Sequence, residues 1–370
     1  MRILTPSRVA ATLLGLLAAL TAAAVVGLAS GPSAVPLRAV ARVLLGDAAN
    51  GSATDPHASV GAGRAEEVDP AAGSGRAIGG SPAADIVLRV RLPRVVLAAL
   101  VGASLAVAGV LFQALLRNPL ADPFVLGVSG GAAVGGIAAM SLGASLGIGH
   151  AAVPPAAFAG AVVTTVVLYA VAGARGFVSA TNLLLTGVVF NAFASALIVF
   201  AASTAGLTEG TSIFLWLIGS LSASRIDLAA WVALFLAIGL AFALPSARGL
   251  NLLALGEESA QQLGLDVARQ QRVLLIATSL MVGAAVSVAG LVGFVGLIVP
   301  HLLRLLFGPD HRLLVPAAAL GGAAFLVVCD TAARTLLGGR ELPVGAITAL
   351  AGGPLFLYLL RRHHLAPLVP

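Results

Sequence analysis

The chain alternates between long apolar runs and short polar segments along almost its whole length. Ten apolar runs carry almost no charge, and most are close to the roughly 20 residues that a helix needs to cross the hydrocarbon core of a bilayer. The pattern therefore predicts an all-α polytopic membrane protein with ten transmembrane helices. The runs lie at 9–29, 95–116, 125–146, 153–172, 183–202, 228–244, 273–292, 293–307, 313–331 and 344–360.

Composition agrees with this pattern and narrows the function. Of the 370 residues, 59% are hydrophobic and 10% are charged, which is not the composition of a soluble globular domain. All 21 basic residues are arginine, so the chain lacks the lysine that a phosphate-binding nucleotide loop requires. The net charge of +6 is spread over the segments between spans, which favours membrane flanks over nucleic-acid binding.

The polar segments indicate a topology. We expect the run at 9–29 to be a first span with the amino terminus in the cytoplasm, because it is long for a cleaved signal peptide. The Gly-, Ala- and acid-rich stretch at 46–85 predicts a disordered external loop. Ten spans return the carboxyl terminus to the cytoplasm, where Arg361 and Arg362 agree with the positive-inside tendency.

Two apolar segments resemble each other. VGASLAVAG at Val101–Gly109 and VGAAVSVAG at Val282–Gly290 agree at six of nine positions and fall in the second and seventh spans. An odd number of crossings separates them, so the two copies run in opposite directions. Inverted repeats of this kind are typical of transporters that work by alternating access.

The segment from Arg248 to Arg272, RGLNLLALGEESAQQLGLDVARQQR, is the one long amphipathic segment in the second half of the chain. Gly256 and Gly264 bracket a short helix, and Asp266 can cap a second helix start. We predict two short helices joined by glycine turns, placed in the cytoplasm. Such a segment is either a docking site for another protein or a solvated loop between spans.

Several other polar positions have two interpretations. Asp330 and Arg334 lie one helical turn apart and form either an internal ion pair or, for Arg334, a contact presented outward. Arg91 and Arg94 stand at the expected external mouth of the second span, where they either extend to the membrane surface or receive carboxylates from a docking protein. Pro300 and His301 interrupt the seventh and eighth spans, which predicts either a hinge or broken helix or a buried histidine with a ligand-binding role.

No catalytic or metal-binding constellation is predicted. The Asp, His and Ser residues are few and lie at opposite ends of the spans. Between the second and third spans, RNPLADP at Arg117–Pro123 predicts a rigid cytoplasmic turn, because its prolines restrict the backbone.

The sequence resembles the permeases of the iron-siderophore, haem and cobalamin uptake family, which are ten-span subunits of bacterial ABC importers. The resemblance covers nearly the whole chain, so residues 1–370 are expected to form one permease domain. It rests on RLPR at Arg91–Arg94, QALLRNPLADPFVLGVSGG at Gln113–Gly131, LNLLALGEESAQQLGLDV at Leu250–Val267, GFVGLIVPHLLR at Gly293–Arg304, GPDHR at Gly308–Arg312 and ELPVGAITALAGGPLFLYLL at Glu341–Leu360.

The resemblance implies partners and roles. The expected partners are a cytoplasmic ABC ATPase dimer, an extracytoplasmic substrate-binding protein and a second permease, in a homodimer or a close heterodimer. The permease would bind no cofactor and would carry out no chemistry, since the ATPase uses the ATP. Docking of the binding protein is expected at Arg91, Arg94 and Arg334, and a gate at Ser179 and Thr181. Coupling to the ATPase is expected at Gly256, Glu257, Glu258, Ala260, Leu263, Gly264, Leu265, Asp266 and Val267.

The expected function is the import of an iron complex, a ferric siderophore, across the bacterial cytoplasmic membrane. Cobalamin or haem is the alternative substrate in the same family. A secondary transporter driven by an ion gradient is a rival class, but it should place carboxylates at mid-membrane. A receptor or scaffold would explain the spans and leave the polar segment at 248–272 without a role.

Overall fold

The computed structural model describes residues 5–31, 35–45, 82–124, 126–146, 150–172, 180–204, 207–221, 226–337 and 341–364. These residues form fourteen α-helices. A π-helical turn, Ile86–Arg91, connects α3 to α4, and a 3-10 turn, His150–Ala152, precedes α6. The helices are α1 (Pro6–Ala29), α2 (Leu37–Leu44), α3 (Pro82–Asp85), α4 (Leu92–Leu115), α5 (Val128–Leu146), α6 (Val153–Ala172), α7 (Ala180–Thr204), α8 (Leu207–Ile218), α9 (Ile226–Leu253), α10 (Glu257–Gln262), α11 (Val267–Ala289), α12 (Val295–Phe307), α13 (His311–Thr335) and α14 (Val344–His364).

The ten predicted spans are confirmed as helices. Seven helical stretches are long and apolar enough to cross a bilayer, and three shorter apolar helices complete the set of ten. The seven contain α1, α4, α6, α7, α9, α11 and α13, and the three shorter apolar stretches lie within α5, α12 and α14. The chain is therefore a multi-pass helical membrane protein, as the apolar pattern predicts.

Some helix boundaries and short helices differ from the sequence-based expectation. The second span begins well before residue 95, because α3, the π-helical turn and α4 continue one another from Pro82 to Leu115. The last four residues of the predicted disordered loop, 82–85, are therefore helical, and 46–81 lie outside the described residues. The short helices α2 and α8 were not predicted, since each is shorter than a bilayer crossing.

Helix α4 forms the centre of the bundle. Every residue from Val101 to Leu115 is buried, which is the behaviour of a helix that is apolar on all sides. Two glycines bring its backbone against its neighbours: a Cβ at Gly102 would collide with the carbonyl of Gly322 in α13, and one at Gly109 with the carbonyl of Gly296 in α12. Small residues at these crossings let the helices pack backbone to backbone.

The bundle has two polar ends. At the arginine end, Arg94 near the start of α4 pairs with Asp330 of α13. At the α10 end, Arg117 just beyond α4 pairs with Glu257 of α10. Gln271 in the second turn of α11 also donates to Glu257, at 3.4 Å. Helix α4 therefore ends where α11 begins, and the predicted opposite course of the two repeat segments is confirmed.

The break between the seventh and eighth spans lies at 290–294, where Gly290 and Phe294 both have positive φ values, 69° and 68°. The predicted break at Pro300 is wrong, because α12 continues through this proline, and a hinge there stays a prediction. Because proline lacks a backbone N–H, Pro300 cannot donate the helical hydrogen bond to the carbonyl of Gly296 one turn earlier. Gln113 of α4 supplies the missing donor, with its Nε2 3.3 Å from that carbonyl.

Candidate functional site

The α10 end carries a short projecting helix. Gly256 precedes α10 with φ 108° and ψ 152°, a conformation open in practice only to glycine, and Gly264 follows it with φ 85°. Asp266 then caps α11, because its carboxylate accepts the N–H of Arg269 at 2.9 Å. Both predicted glycine turns and the predicted cap are confirmed. The second helix differs in length from the prediction, since it continues as α11 to Ala289.

The surface of α10 is mostly exposed. Ala260 is buried against the bundle and Val267 is buried at the start of α11, so the two residues fix the position of the projection. Leu255 and Leu263 flank α10 with 64% and 61% of their surfaces exposed. The remaining predicted coupling residues are exposed or partly exposed: Gly256, Glu257, Glu258, Gly264, Leu265 and Asp266.

Arg117 joins the end of α4 to this projection. Its N–H donates to the carbonyl of Ala114, and the N–H of Asn118 donates to that of Gln113. These two bonds form a Schellman motif with Arg117 at the position that usually holds glycine, and its φ is 49°. The guanidinium Nη2 lies 3.0 Å from Oε1 of Glu257.

The loop that follows Arg117 is held by side-chain caps on its own backbone. Asn118 accepts the N–H of Leu120 at 2.9 Å, and Asp122 accepts the N–H of Phe124 at 2.8 Å. Burial raises the pKa of the Asp122 carboxyl to about 6, and the hydrogen bond from Phe124 opposes part of this rise. The rigid turn predicted for 117–123 agrees with these contacts.

Further polar contacts tie helices together at the α10 end. Asn251 near the end of α9 donates to Asp310, which caps α13, at 2.8 Å. Arg304 of α12 donates to the Oε1 of Gln113 at 2.9 Å. Arg8 of α1 donates to the carbonyl of Phe307 at 3.1 Å. The end of the bundle that carries α10 is thus cross-linked from α1 to α13.

At the arginine end, one carboxylate serves two arginines. Asp330 accepts from Nε of Arg94 at 2.9 Å and from Nε of Arg334 at 3.0 Å, and all three side chains are at least nine-tenths buried. Arg94 also pairs through Nη1 with Glu341 at 2.8 Å. The internal Asp330–Arg334 ion pair, one of the two sequence-based alternatives, is therefore present. The Asp330 carboxylate compensates the buried positive charges of both arginines, since a buried charge without an opposite partner is costly.

Arg91 and Arg334 bind the end of α1. Arg91 donates through Nη1 to the carbonyls of Leu28 and Ala29, at 2.7 and 2.9 Å. Arg334 donates to the carbonyls of Gly27 and Ser30. These bonds satisfy carbonyls that the last turn of a helix leaves without partners.

The three arginines predicted as a docking site are brought together, but they are buried. Arg91, Arg94 and Arg334 are 3%, 7% and 4% exposed and all have internal partners. The exposed member of the cluster is Glu341, whose side chain is 43% exposed. Sequence reasoning missed this residue as a participant, because Glu341 lies 247 positions from Arg94 and no local spacing connects them.

The remaining predicted site is the gate. Thr181 lies in the first turn of α7 and is exposed, so it is not enclosed by other helices of this chain. Ser179 lies outside the described residues. Among the described residues, no group of three or more His, Cys, Asp and Glu is arranged to hold a metal ion.

Comparison with known proteins identifies the family. The model of the FecCD transport family matches residues 16–362. The cobalamin import system permease of Halobacterium salinarum is 48% identical over 276 residues, which cover 75% of this chain and 73% of the relative. The hemin transport system permease of Yersinia pestis is 42% identical over 284 residues, which cover 75% and 83%.

A solved structure supports the same conclusion. A transporter assigned to the metal-chelate type of ABC transporter, in an inward-facing conformation, superposes with a TM-score of 0.76 at 28% identity. The match covers 95% of this chain and 98% of that one. The family match extends over nearly the whole chain, and the fold matches over nearly the whole of both proteins. The chain belongs to the FecCD transport family of ABC importer permeases.

Proposed function

We propose that this permease carries a metal-containing chelate across the cytoplasmic membrane, driven by an ABC ATPase that docks on α10. The observation that carries the proposal is the projection formed by α10, held between two glycines of positive φ and flanked by two exposed leucines. As a permease of this family the chain is not an enzyme, since a separate subunit hydrolyses ATP. The α10 end accordingly faces the cytoplasm.

The shape and chemistry of α10 suit insertion into a cleft. Ala260 and Val267 anchor the projection on the bundle, while Leu263 points its exposed apolar surface away from it. Glu257 and Glu258 lie in the first turn of α10, where the helix dipole favours negative charge. An apolar side chain surrounded by polar groups matches the usual make-up of a protein interface.

The arginine end then faces outward, toward the binding protein. Docking by acidic residues at Arg91, Arg94 and Arg334 requires an exchange of partners, because these arginines already bind Asp330, Glu341 and backbone carbonyls. Glu341 is the exposed carboxylate of the cluster. An incoming carboxylate would displace Glu341 from Arg94 more readily than it would displace the fully buried Asp330.

A second copy of the permease would cover an apolar surface formed by α7, α8 and α14. Large apolar side chains are exposed there without any other helix of the described chain against them. In water this would be an aggregation surface, and in a membrane it contacts lipid or another copy. These exposed residues include Val189, Phe193, Phe200, Phe214, Leu350 and Leu357.

The substrate has two candidates. Sequence resemblance alone led us to expect a ferric siderophore. Relatives named for cobalamin, at 48% identity, and for hemin, at 42%, favour a tetrapyrrole-type metal chelate as the second candidate. In both cases the cargo is a large chelate whose metal is enclosed, and transport leaves it chemically unchanged.

The test is reconstitution of the permease in proteoliposomes with an ABC ATPase and a substrate-binding protein of this family. ATP-driven uptake is measured for radiolabelled ferric siderophore, cobalamin and haem in turn. Uptake of one of these chelates, dependent on ATP and on the binding protein, is expected. A permease that assembles with no such ATPase, or that transports with an ion gradient in its place, contradicts the proposal.

A paired substitution locates the ATPase contact. Leu263→Asp places a charge at one of the two exposed leucines that flank α10 and is expected to reduce co-purification of the ATPase about tenfold or more. Leu337→Asp is the matched control, because Leu337 is similarly exposed, at 55%, but lies at the arginine end. Equal losses of ATPase for the two variants would exclude α10 as the docking site.

A further inference from the structure

Arg117 occupies the position after the end of α4 that usually holds glycine. The Schellman motif at the end of α4 needs a residue of positive φ at this position, and Arg117 adopts φ 49°. A residue with a Cβ is strained in this conformation, whereas glycine adopts it freely. A strained arginine at this position therefore suggests that its side chain has a role.

The side chain of Arg117 reaches the projection on which the ATPase is proposed to dock. Its Nη2 lies 3.0 Å from Oε1 of Glu257, the first residue of α10. The same oxygen accepts from Nε2 of Gln271, at 3.4 Å, in the second turn of α11. Glu257 therefore joins α10, α11 and the end of α4 through one carboxylate.

Helix α4 is one continuous helix that is packed closely over most of its length. It is buried over its whole second half, and Gly102 and Gly109 place its backbone directly against α13 and α12. With 24 residues it spans about 36 Å, which connects the two polar ends. At its far end Arg94 holds Asp330 and Glu341, the cluster proposed to face the binding protein.

We infer that Arg117 is a positioning residue that couples movement of α10 to α4, and through α4 to the arginine end. This inference rests on the proposed function, because it needs an ATPase that moves α10. When α10 shifts, the Arg117–Glu257 ion pair draws the end of α4 with it. Helix α11 follows because residues 263–266 connect it directly to the end of α10. Without the pair, α10 keeps its chain connections to α9 and α11 but loses this side-chain link to the end of α4.

The experiment measures coupling, as ATP hydrolysed per substrate molecule imported, in the reconstituted complex. The variants are Arg117→Gly, Arg117→Glu, Glu257→Arg and the double exchange Arg117→Glu with Glu257→Arg. An exposed ion pair of this kind supports an expected rise of about two- to fivefold in ATP used per import for each single variant. The double exchange is expected to restore the ratio toward that of the wild type, because it rebuilds the pair with its charges reversed.

Arg117→Gly separates coupling from folding. Glycine removes the ion pair but relieves the strain at φ 49°, so this variant is expected to unfold at a temperature no lower than that of the wild type. A merely structural role for Arg117 would instead show as a loss of thermal stability with unchanged coupling. Arg312→Glu is the charge-matched control: Arg312 is exposed at the same end and makes no ion pair within the described part of the chain.

The outcomes distinguish this inference from the function on which it rests. If the wild type neither binds an ATPase nor imports a chelate, the proposed function fails. If the wild type imports substrate and Arg117→Gly does so at the same ATP cost, the coupling role of Arg117 is overturned and the function stands. A double exchange as defective as its parents, or an Arg312→Glu variant equally defective, also overturns it.

Discussion

Asp330 is the residue on which the arginine end depends most directly. Its two carboxylate oxygens each hold one buried arginine, Arg94 on α4 and Arg334 on its own helix. Removal of the charge would leave two guanidinium groups with less compensation inside the bundle. A buried charge without its partner costs far more free energy than the pair itself contributes.

We expect Asp330→Asn to lower the free energy of unfolding by on the order of 3 kcal/mol, since asparagine keeps the shape but not the charge. The measurement is thermal or denaturant unfolding of the purified permease in detergent. Asp85→Asn is the matched control, because the Asp85–Arg89 pair is exposed and should contribute about 0 to 1 kcal/mol. Similar losses for both variants would show that the cluster is not a stabilising feature.

From the sequence, the charges of these residues can be predicted, but their burial and most of their partners cannot. The Asp330–Arg334 pair is readable from its four-residue spacing, and the structure contains it. The Arg94–Asp330 and Arg117–Glu257 pairs join positions 236 and 140 residues apart, so no local pattern reveals them. Arginines expected at an open external mouth are consequently found buried, because their partners come from distant segments.

Helix α10 shows how two glycines define an element. Gly256 has φ 108° and ψ 152°, and no heavy atom beyond its adjacent residues lies within 4 Å of the place where its Cβ would stand. The space is open, so the requirement for glycine at this position is one of backbone conformation alone. A side chain here would force the turn before α10 to change.

We expect Gly256→Ala to destabilise the α10 projection by about 1 to 3 kcal/mol, the range for a residue held in a glycine-only conformation. Hydrogen exchange of the amides of 257–265 should then quicken about fivefold or more, since these amides report local opening. Gly15→Ala is the control, because Gly15 is helical with equally open space and alanine favours the helix there. Unchanged exchange in Gly256→Ala would contradict the conformational argument.

At the scale of elements, length and apolarity were sufficient for the ten spans and insufficient for the rest. Helix α8, with 12 residues, is apolar but too short to register as a crossing. Pro300 was expected to break a helix, and this reasoning ignored what another helix could donate. Gln113 of α4 donates a hydrogen bond to the carbonyl of Gly296 that Pro300 leaves without a donor, and α12 stays intact.

The whole molecule is organised by two polar ends joined through an apolar centre. Asn251, Glu257 and Arg304 lie at one end and Asp330, Arg334 and Glu341 at the other. Polar networks at opposite ends of an apolar bundle agree with the two surfaces of a membrane. The orientation of the ends is part of the proposed function.

We expect Leu255→Cys to react with a membrane-impermeant maleimide only from the cytoplasmic side, and Glu341→Cys only from the outside. Both positions are exposed, and the one native cysteine, Cys329, is buried at 4% exposure, so its background labelling should be low. Intact cells are compared with inverted membrane vesicles. The opposite pattern of labelling would reverse the orientation and remove both proposed docking surfaces.

The distance along the chain between Arg94 and Asp330 also sets an order for biosynthesis. Arg91 can bind the carbonyls of Leu28 and Ala29 as soon as α4 is made, because α1 precedes it. Arg94 must await a partner 236 residues further on, which takes about 12 to 47 s at ordinary rates of translation. Helix α4 therefore enters the membrane with Arg91 already hydrogen-bonded and Arg94 still without its partner. It can reach its final place only when α13, the ninth span, emerges from the ribosome.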